Sequence, residues 1–432
     1  MVMVTSAPPS PVATGAAAGD GMRSAPTSLR VAGHPAAGTG LVVKKVSAGH
    51  FNTCALTEQG DVSCWGRNLY GALGRNSLSD ESALWPAPVQ QLMGPAVDVA
   101  VGVTHVCAVM TNGGVRCWGS NQYGELGNGT IGLDTGVESN PVPGDVLQLA
   151  RPVRDLAAGY RMNCALTGAG DVWCWGGIGE DRSNEPLPQQ VDGITARIKQ
   201  IAGNFLHMCA VSIEGAAFCW GRNWFGQLGD GSTVESWAAA PVAGLQSGVK
   251  SITAALGHSC TLREDGRALC WGDNQFGQLG DGTIQPRLTP VEVQGQGNTV
   301  KSIAAGGAQT CALLTGGELK CWGRNDVGQL GLGFTDEQPH PQPTLVPTLA
   351  GSVMSVAMSI GGHPNFDPVD VEEGDRGFDW LGHTCVVLDP GRVQCWGANS
   401  YGQLGDGSFT RRSFPGDLFS PIAAALLPAL AR

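Results

Sequence analysis

The sequence predicts an all-β repeat fold, in which seven copies of one unit each form a sheet packed between two neighbouring sheets, as blades of a propeller are. Three observations predict it. All 14 cysteines of the 432-residue chain fall into seven pairs with nine residues between the members. The sixth position after every first cysteine is glycine, and every second cysteine is followed by Trp-Gly. Successive first cysteines lie 53, 57, 45, 51, 51 and 74 residues apart, the spacing of propeller blades rather than of shorter helical repeats.

Each unit begins from a hairpin. In "CALTEQGDVSCWGRN", residues 54–68, "TCALT" and "DVSCW" read as strands, and Glu58-Gln59-Gly60 as a three-residue loop whose last position takes positive φ. If Thr57 and Asp61 close that loop as a hydrogen-bonded pair, Leu56 faces Val62 and then Cys54 faces Cys64 as non-hydrogen-bonded pairs, with Cα atoms about 4.5 Å apart. A disulfide is feasible there, and equally between Cys107 and Cys117, Cys164 and Cys174, Cys209 and Cys219, Cys260 and Cys270, Cys311 and Cys321, and Cys385 and Cys395. Fixed pairing with no thiol left over favours disulfides, each contributing about 2 to 3 kcal/mol through the unfolded state. The alternative is seven pairs of small buried hydrophobes in a reducing compartment. Zinc is disfavoured, since two thiolates per hairpin do not make a four-ligand site.

Side chains alternate along a strand, so Trp65, Trp118, Trp175, Trp220, Trp271, Trp322 and Trp396 point to the face opposite the cysteines. Both faces of each hairpin are then apolar, as a sheet sandwiched between neighbours requires.

After Trp-Gly come "RNLYGALG", "SNQYGELGNG", "RNWFGQLGDG", "DNQFGQLGDG", "RNDVGQLGLG" and "ANSYGQLGDG". With the preceding "AGH", "AAG" and "LGHTC" elements, these resemble the regulator-of-chromosome-condensation repeat over residues 41–418. The resemblance implies a seven-bladed β-propeller of four-stranded antiparallel blades. Each unit then reads as an inner strand such as "VKSIAAG", the hairpin, and an outer strand near "PVEV". Alternating directions put the first-to-second and third-to-fourth loops on one face of the disc, here the loop face, and the glycine hairpin turns on the other, the turn face. Unit three, "CWGGIGEDRSNEPLPQQV", lacks the Asn and the "YGQLG" turn. Unit seven carries an acidic insertion over residues 360–382. Residues 1–40, rich in Ala, Gly, Pro and Ser, read as a disordered segment, and residues 419–432 as an apolar tail that leaves ring closure open.

A formal net charge of −11 without any basic run argues against nucleic acid, and no apolar run is long enough to span a bilayer. The N-terminus does not read as an intact secretory signal. His105, His207, His258 and His383, each two residues before a first cysteine, read as structural. No catalytic constellation, metal set or cofactor motif stands out, so the expectation is a non-enzymatic protein with no cofactor.

Two features read as recognition surface. The inner loops carry Phe51, Tyr160, Arg161 and Phe205 near the central opening, the kind of aromatic and Arg anchors that binding loops use, although they would equally serve to plug the channel. The insertion carries Asp367, Asp370, Glu372 and Glu373 with Phe378 and Trp380. Trp237 reads as part of a variable loop. The expectation is a monomeric scaffold that binds a protein partner in an extracellular, cell-surface or periplasmic setting. The resemblance also offers guanine-nucleotide exchange on a small GTPase, and a hydrolase or lyase site in the channel is a further alternative.

Overall fold

The computed structural model describes residues 42–178, 184–361 and 382–418. The expected insertion residues Asp367, Asp370, Glu372, Glu373, Phe378 and Trp380 lie outside the described residues, as do 1–41 and the tail 419–432. Among the described residues, twenty-eight strands form seven four-stranded antiparallel sheets, each taken in simple chain order. The first blade is β1 (Val43–Ala48), β2 (Asn52–Thr57), β3 (Val62–Gly66) and β4 (Ala83–Pro88), and numbering continues four to a blade up to β28 (Arg412–Asp417). This is a seven-bladed β-propeller.

The hairpin register is the one the spacing implies. Cys54 faces Cys64, Leu56 faces Val62, and the Thr57 N–H donates to the Asp61 carbonyl at 2.9 Å. All seven expected disulfides are present: Cys54 with Cys64, Cys107 with Cys117, Cys164 with Cys174, Cys209 with Cys219, Cys260 with Cys270, Cys311 with Cys321, and Cys385 with Cys395. Their Cα atoms stand 4.0–4.1 Å apart, closer than the roughly 4.5 Å expected for such a pair. Gly60 takes φ 89°, and its six counterparts are also positive. Alkylation of the folded, unreduced protein is therefore expected to add no mass. Uptake of several alkyl groups would contradict the pairing.

Seven apolar clusters fill the seams between blades. In each, the disulfide of one blade packs against the repeated Trp of the next: Cys54 and Cys64 with Trp118, Cys107 and Cys117 with Trp175, Cys260 and Cys270 with Trp322, Cys311 and Cys321 with Trp396. One seam closes the ring, since Cys385 and Cys395 pack against Trp65. The final blade supplies its own outer strand, β28, so the ring closes by packing between blades and not by exchange of a strand.

A polar latch accompanies six of these seams among the described residues. The Trp65 indole N–H donates to the Gln403 carbonyl at 2.9 Å, and Trp118, Trp175, Trp271, Trp322 and Trp396 do the same toward the preceding blade's third-to-fourth loop. The buried histidines lie beside this contact. His258 Nε2 meets Thr310 Oγ1 at 2.8 Å, and that hydroxyl donates to the Gln278 carbonyl that also receives Trp322. His383 meets Thr53 in the same way across the closing seam. Burial pushes the His105 and His258 pKa down to about 4 and those of His207 and His383 to about 3, so all four are neutral structural groups, as their sequence position suggested.

The loop motif has a specific physical cause. Buried Asn274 accepts the N–H of Leu279 through Oδ1 at 2.9 Å and donates through Nδ2 to the carbonyls of Thr283 and Gln285. One side chain thus fixes both ends of the turn, and Asn68, Asn121, Asn223, Asn325 and Asn399 bind their Leu N–H groups in the same way. The glycine after each Trp is equally constrained: at Gly66, φ is 101° and an added Cβ would lie 2.4 Å from the Phe51 carbonyl oxygen.

Unit three lacks this motif, and its residues 179–183 lie outside the described residues. Trp237 is not in a variable loop, as its surroundings in the sequence suggested. It belongs to β16 (Ser236–Pro241), is half-buried, and packs into the seam that holds Cys164, Cys174 and Trp220. Pro141 and Pro186, on the outer strands of other blades, pack there against the loop glycines Gly71 and Gly124. The fourth blade carries the larger Trp237 at the matching outer-strand position.

Candidate functional site

The inner loops converge at the centre of the loop face. Phe51, Val103, Phe205, Leu206, Leu256 and Ile360 form one apolar cluster, with Tyr160, Tyr401 and Leu69 packed around it. Phe51 is 2% and Phe205 3% exposed, so these two side chains are buried in the plug of the channel rather than presented as anchors. Each lies deep because inner loops from several blades meet over a narrow opening, and their apolar side chains bury one another. Tyr160 and Arg161 are half-buried at the rim of the same cluster, Tyr160 stacked on Phe205 with ring centres 4.9 Å apart. The disulfides take no part in this cluster: Cys107 with Cys117, Cys311 with Cys321 and their counterparts all lie in the seams between blades.

Around the plug runs a set of arginine–aromatic contacts that the sequence reading passed over. Arg161 lies 4.0 Å from the Tyr123 ring centre and 4.6 Å from that of Tyr160. Arg67 packs on Tyr401 and Phe51, Arg222 on Trp224, and Arg324 on Phe276. Arg67, Arg222 and Arg324 precede the buried Asn in "WGRN"; Tyr123, Phe276 and Tyr401 stand just before the loop glycine, and Trp224 stands two residues before it. These residues belong to the same repeats that build the blades, where they read as framework. Ion pairs from Arg67 to Asp80 at 2.8 Å, and from Arg222 to Glu235, hold two of the guanidinium groups in place.

A small cavity of about 40 Å³ opens between Tyr70, Thr104, Gln122, Glu125, Tyr160 and Arg161. It has room for about three waters, far short of the roughly 300 Å³ that small-molecule sites begin at, and suits the head of one side chain. Glu125 occupies the position that Gln227, Gln278, Gln329 and Gln403 hold in other blades. Its Oε2 accepts the Tyr123 N–H at 2.8 Å, as the Gln278 side-chain oxygen accepts that of Phe276, while its second oxygen receives the Ser120 hydroxyl. Only 1% exposed, its carboxyl is pushed up to about 7, chiefly by burial. His50, beside the plug, is lowered to about 4, again by burial. Among the described residues no group of three or more His, Cys, Asp or Glu is placed to hold a metal ion.

This geometry of four-stranded blades, loop-face arginines and buried Trp-Gly turns has a family. The RCC1-like domain matches residues 14–362, and the regulator of chromosome condensation (RCC1) repeat matches residues 381–403. The chain belongs to the RCC1-like family. Among its relatives, the ultraviolet-B receptor UVR8 of Arabidopsis thaliana is 30% identical over 384 residues, covering 87% of this chain and 70% of the receptor. The mitochondrial RCC1 domain-containing protein RUG3 of the same plant is 29% identical over 309 residues, 69% of this chain and 58% of RUG3, so the chain spans little more than half the length of that relative. The crystal structure of Prp20p from Saccharomyces cerevisiae, described with its binding properties to Gsp1p and histones, superposes with a TM-score of 0.71 at 25% identity, over 86% of this chain and 88% of Prp20p. In the RCC1-like chain described here, no helix among the described residues is long and apolar enough to cross a membrane.

Proposed function

We propose that this RCC1-like propeller is a non-enzymatic scaffold that binds a protein partner through its loop face, as a monomer and in an oxidising compartment outside the cytosol. The observation that carries the proposal is the arginine–aromatic rim around an apolar plug. Arg and aromatic side chains dominate binding hot spots, and here stacking already fixes their rotamers, so little side-chain entropy remains to be lost on association. Trp224, 40% exposed, and the half-buried Tyr160 and Arg161 are groups within a partner's reach, with the 40 Å³ cavity beside Tyr160 and Arg161 as a side-chain socket. The acidic residues 367–379 would add an electrostatic component to encounter, while Phe51 and Phe205 act by supporting the rim. The seven disulfides support an oxidising location, where such bonds persist.

Combining Tyr160→Ala with Trp224→Ala is expected to abolish capture of a partner retained by the wild-type protein, mostly through a faster off-rate, with the melting temperature little changed. Retention of the same partner by the double variant would move the site to the turn face or the blade rims. Exchange activity on a small GTPase is the second reading, because the 25%-identical Prp20p is described as binding Gsp1p. Acceleration of nucleotide release from a GTPase would favour it over a passive scaffold.

A further inference from the structure

The central channel holds a second set of groups, away from the loop face. Its walls are the seven inner strands, and they enclose about 300 Å³. At the loop-face end the channel is closed by the plug of Phe51, Val103, Phe205, Leu206, Leu256 and Ile360. At the other end the inner strands begin beside the hairpin turns: the Val43 N–H donates to the Gly391 carbonyl, and the Ala96 N–H to that of Gly60. The channel is therefore a blind chamber entered from the turn face.

The polarity of this chamber is layered along its axis. The second residue of five of the seven inner strands is a cation: Lys44, Arg154, Lys199, Lys250 and Lys301. Four are exposed, though Arg154 donates to the Ile198 carbonyl; Lys199 is half-buried, donating to the Val249 carbonyl at 3.0 Å with Glu264 at 3.7 Å, and all five stand at the turn-face ends of their strands, outside the residues that line the cavity itself. One step inward, the third residues include Lys45, Asp98 and Asp155. Lys45 is ion-paired with Asp98. Asp155 accepts the N–H groups of Leu156 and Ile201, at 3.0 and 3.1 Å, and has no cation within 4 Å among the described residues. The carboxyl lines the channel, and its pKa is raised to about 6, first by desolvation and further by Asp98, against the lowering influence of its backbone N–H donors and of the Lys45 charge. Fifth residues are Ser, Ala or Thr in every inner strand, and these small side chains are what leaves the space open. At the closed end, Asn204 lines the chamber, is 5% exposed, and its Oδ1 is buried without a hydrogen-bond partner.

We infer that the chamber is a binding site for a small zwitterion, a free amino acid or dipeptide, with its ammonium group inward against Asp155 and its carboxylate toward the cationic mouth. A ligand carrying only positive charge would meet the cations at the strand ends, and one carrying only negative charge would meet Asp98 and Asp155 inside, offset among the described residues by Lys45 alone. A zwitterion satisfies both layers, and Asn204 Oδ1 offers an acceptor to a donor deeper in. The volume stands at the lower end of ligand sites, about 300 Å³, which suits one such molecule. A cationic mouth on a low-dielectric cleft also concentrates carboxylates before entry. This site lies at the opposite end of the channel from the loop face and does not depend on a protein partner binding there.

Titration calorimetry of the intact protein tests this with four probes: alanine, glycylglycine, putrescine and succinate. Binding of alanine or glycylglycine at least about tenfold tighter than putrescine and succinate is expected, the tighter of the two identifying free amino acid or dipeptide. Asp155→Asn should weaken it by about tenfold or more, the loss of one charge pair. Because Asp155 also receives inner-strand N–H groups, the surface variant Lys250→Glu with Lys301→Glu provides a second test, expected to weaken binding at an unchanged melting temperature. Equal binding of putrescine or succinate, no saturation by any probe up to about 10 mM, or full affinity in the lysine variant would each overturn the inference.

Discussion

Trp271→Ala is expected to lower the stability of the propeller by about 3 to 5 kcal/mol, and Trp220→Ala by a similar amount, whereas Trp237→Ala should cost about 1 to 2 kcal/mol. Trp271 is fully buried against the Cys209–Cys219 bridge, and its indole donates to the Gln227 carbonyl, so the truncation leaves a cavity and removes one of that carbonyl's two donors, the Ser259 hydroxyl being the other. Trp220 is 2% exposed and fills the corresponding seam, but among the described residues it has no such carbonyl, because unit three lacks the motif that would supply one. The two should therefore separate under a gentler change. Trp271→Phe keeps most of the ring and loses the hydrogen bond, and should be the more damaging of the two Phe variants by about 1 kcal/mol. Urea midpoints of the five variants decide this. An effect of Trp237→Ala as large as that of Trp220→Ala would mean that the half-buried outer-strand ring carries the seam.

Acidification from pH 7 to pH 5 is expected to destabilise the fold strongly. His50, His105 and His258 are held near pKa 4, and His207 and His383 near 3, all through burial. Each remains neutral in the folded chain while the unfolded chain takes up a proton below about 6.5, so this stability is complete above pH 6.5 and is lost as pH falls toward the folded values. Glu125, raised to about 7, and Asp155, raised to about 6, act in the opposite sense, because the folded state holds their protons where the unfolded state has released them. Near pH 5, five imidazoles taking up protons on unfolding outweigh two carboxyls releasing them, a net of about three protons and a slope on the order of 4 kcal/mol per pH unit. The denaturation midpoint should fall across this range, and His258→Gln, which keeps a donor toward Thr310, should flatten the dependence by about one proton. A midpoint that rises on acidification would show that the carboxyls dominate.

The sequence by itself determined the contents of a blade. Cysteine spacing, the turn glycine and the Trp-Gly step are contacts between residues at most about ten positions apart, and strand alternation converts them directly into a register, a disulfide and two apolar faces. Seven repetitions then carried the fold class. What only the tertiary structure decided lies between blades. Trp237 in the seam of Cys164 and Cys174, Thr310 as the partner of His258, and Trp65 against Cys385 and Cys395 join residues about 50 to more than 300 positions apart. Hydrophobic patterning says that a face is buried, but many side chains of suitable size could cover it, and only packing selects among them. The same reason governs the functional surfaces. Phe51 and Phe205 were legible as central-loop residues, yet whether they meet solvent or each other depends on how closely the inner loops crowd one opening. The blind chamber depends likewise on the small fifth residues of seven strands, which carry no signal singly and leave a cavity only when the ring sets them face to face.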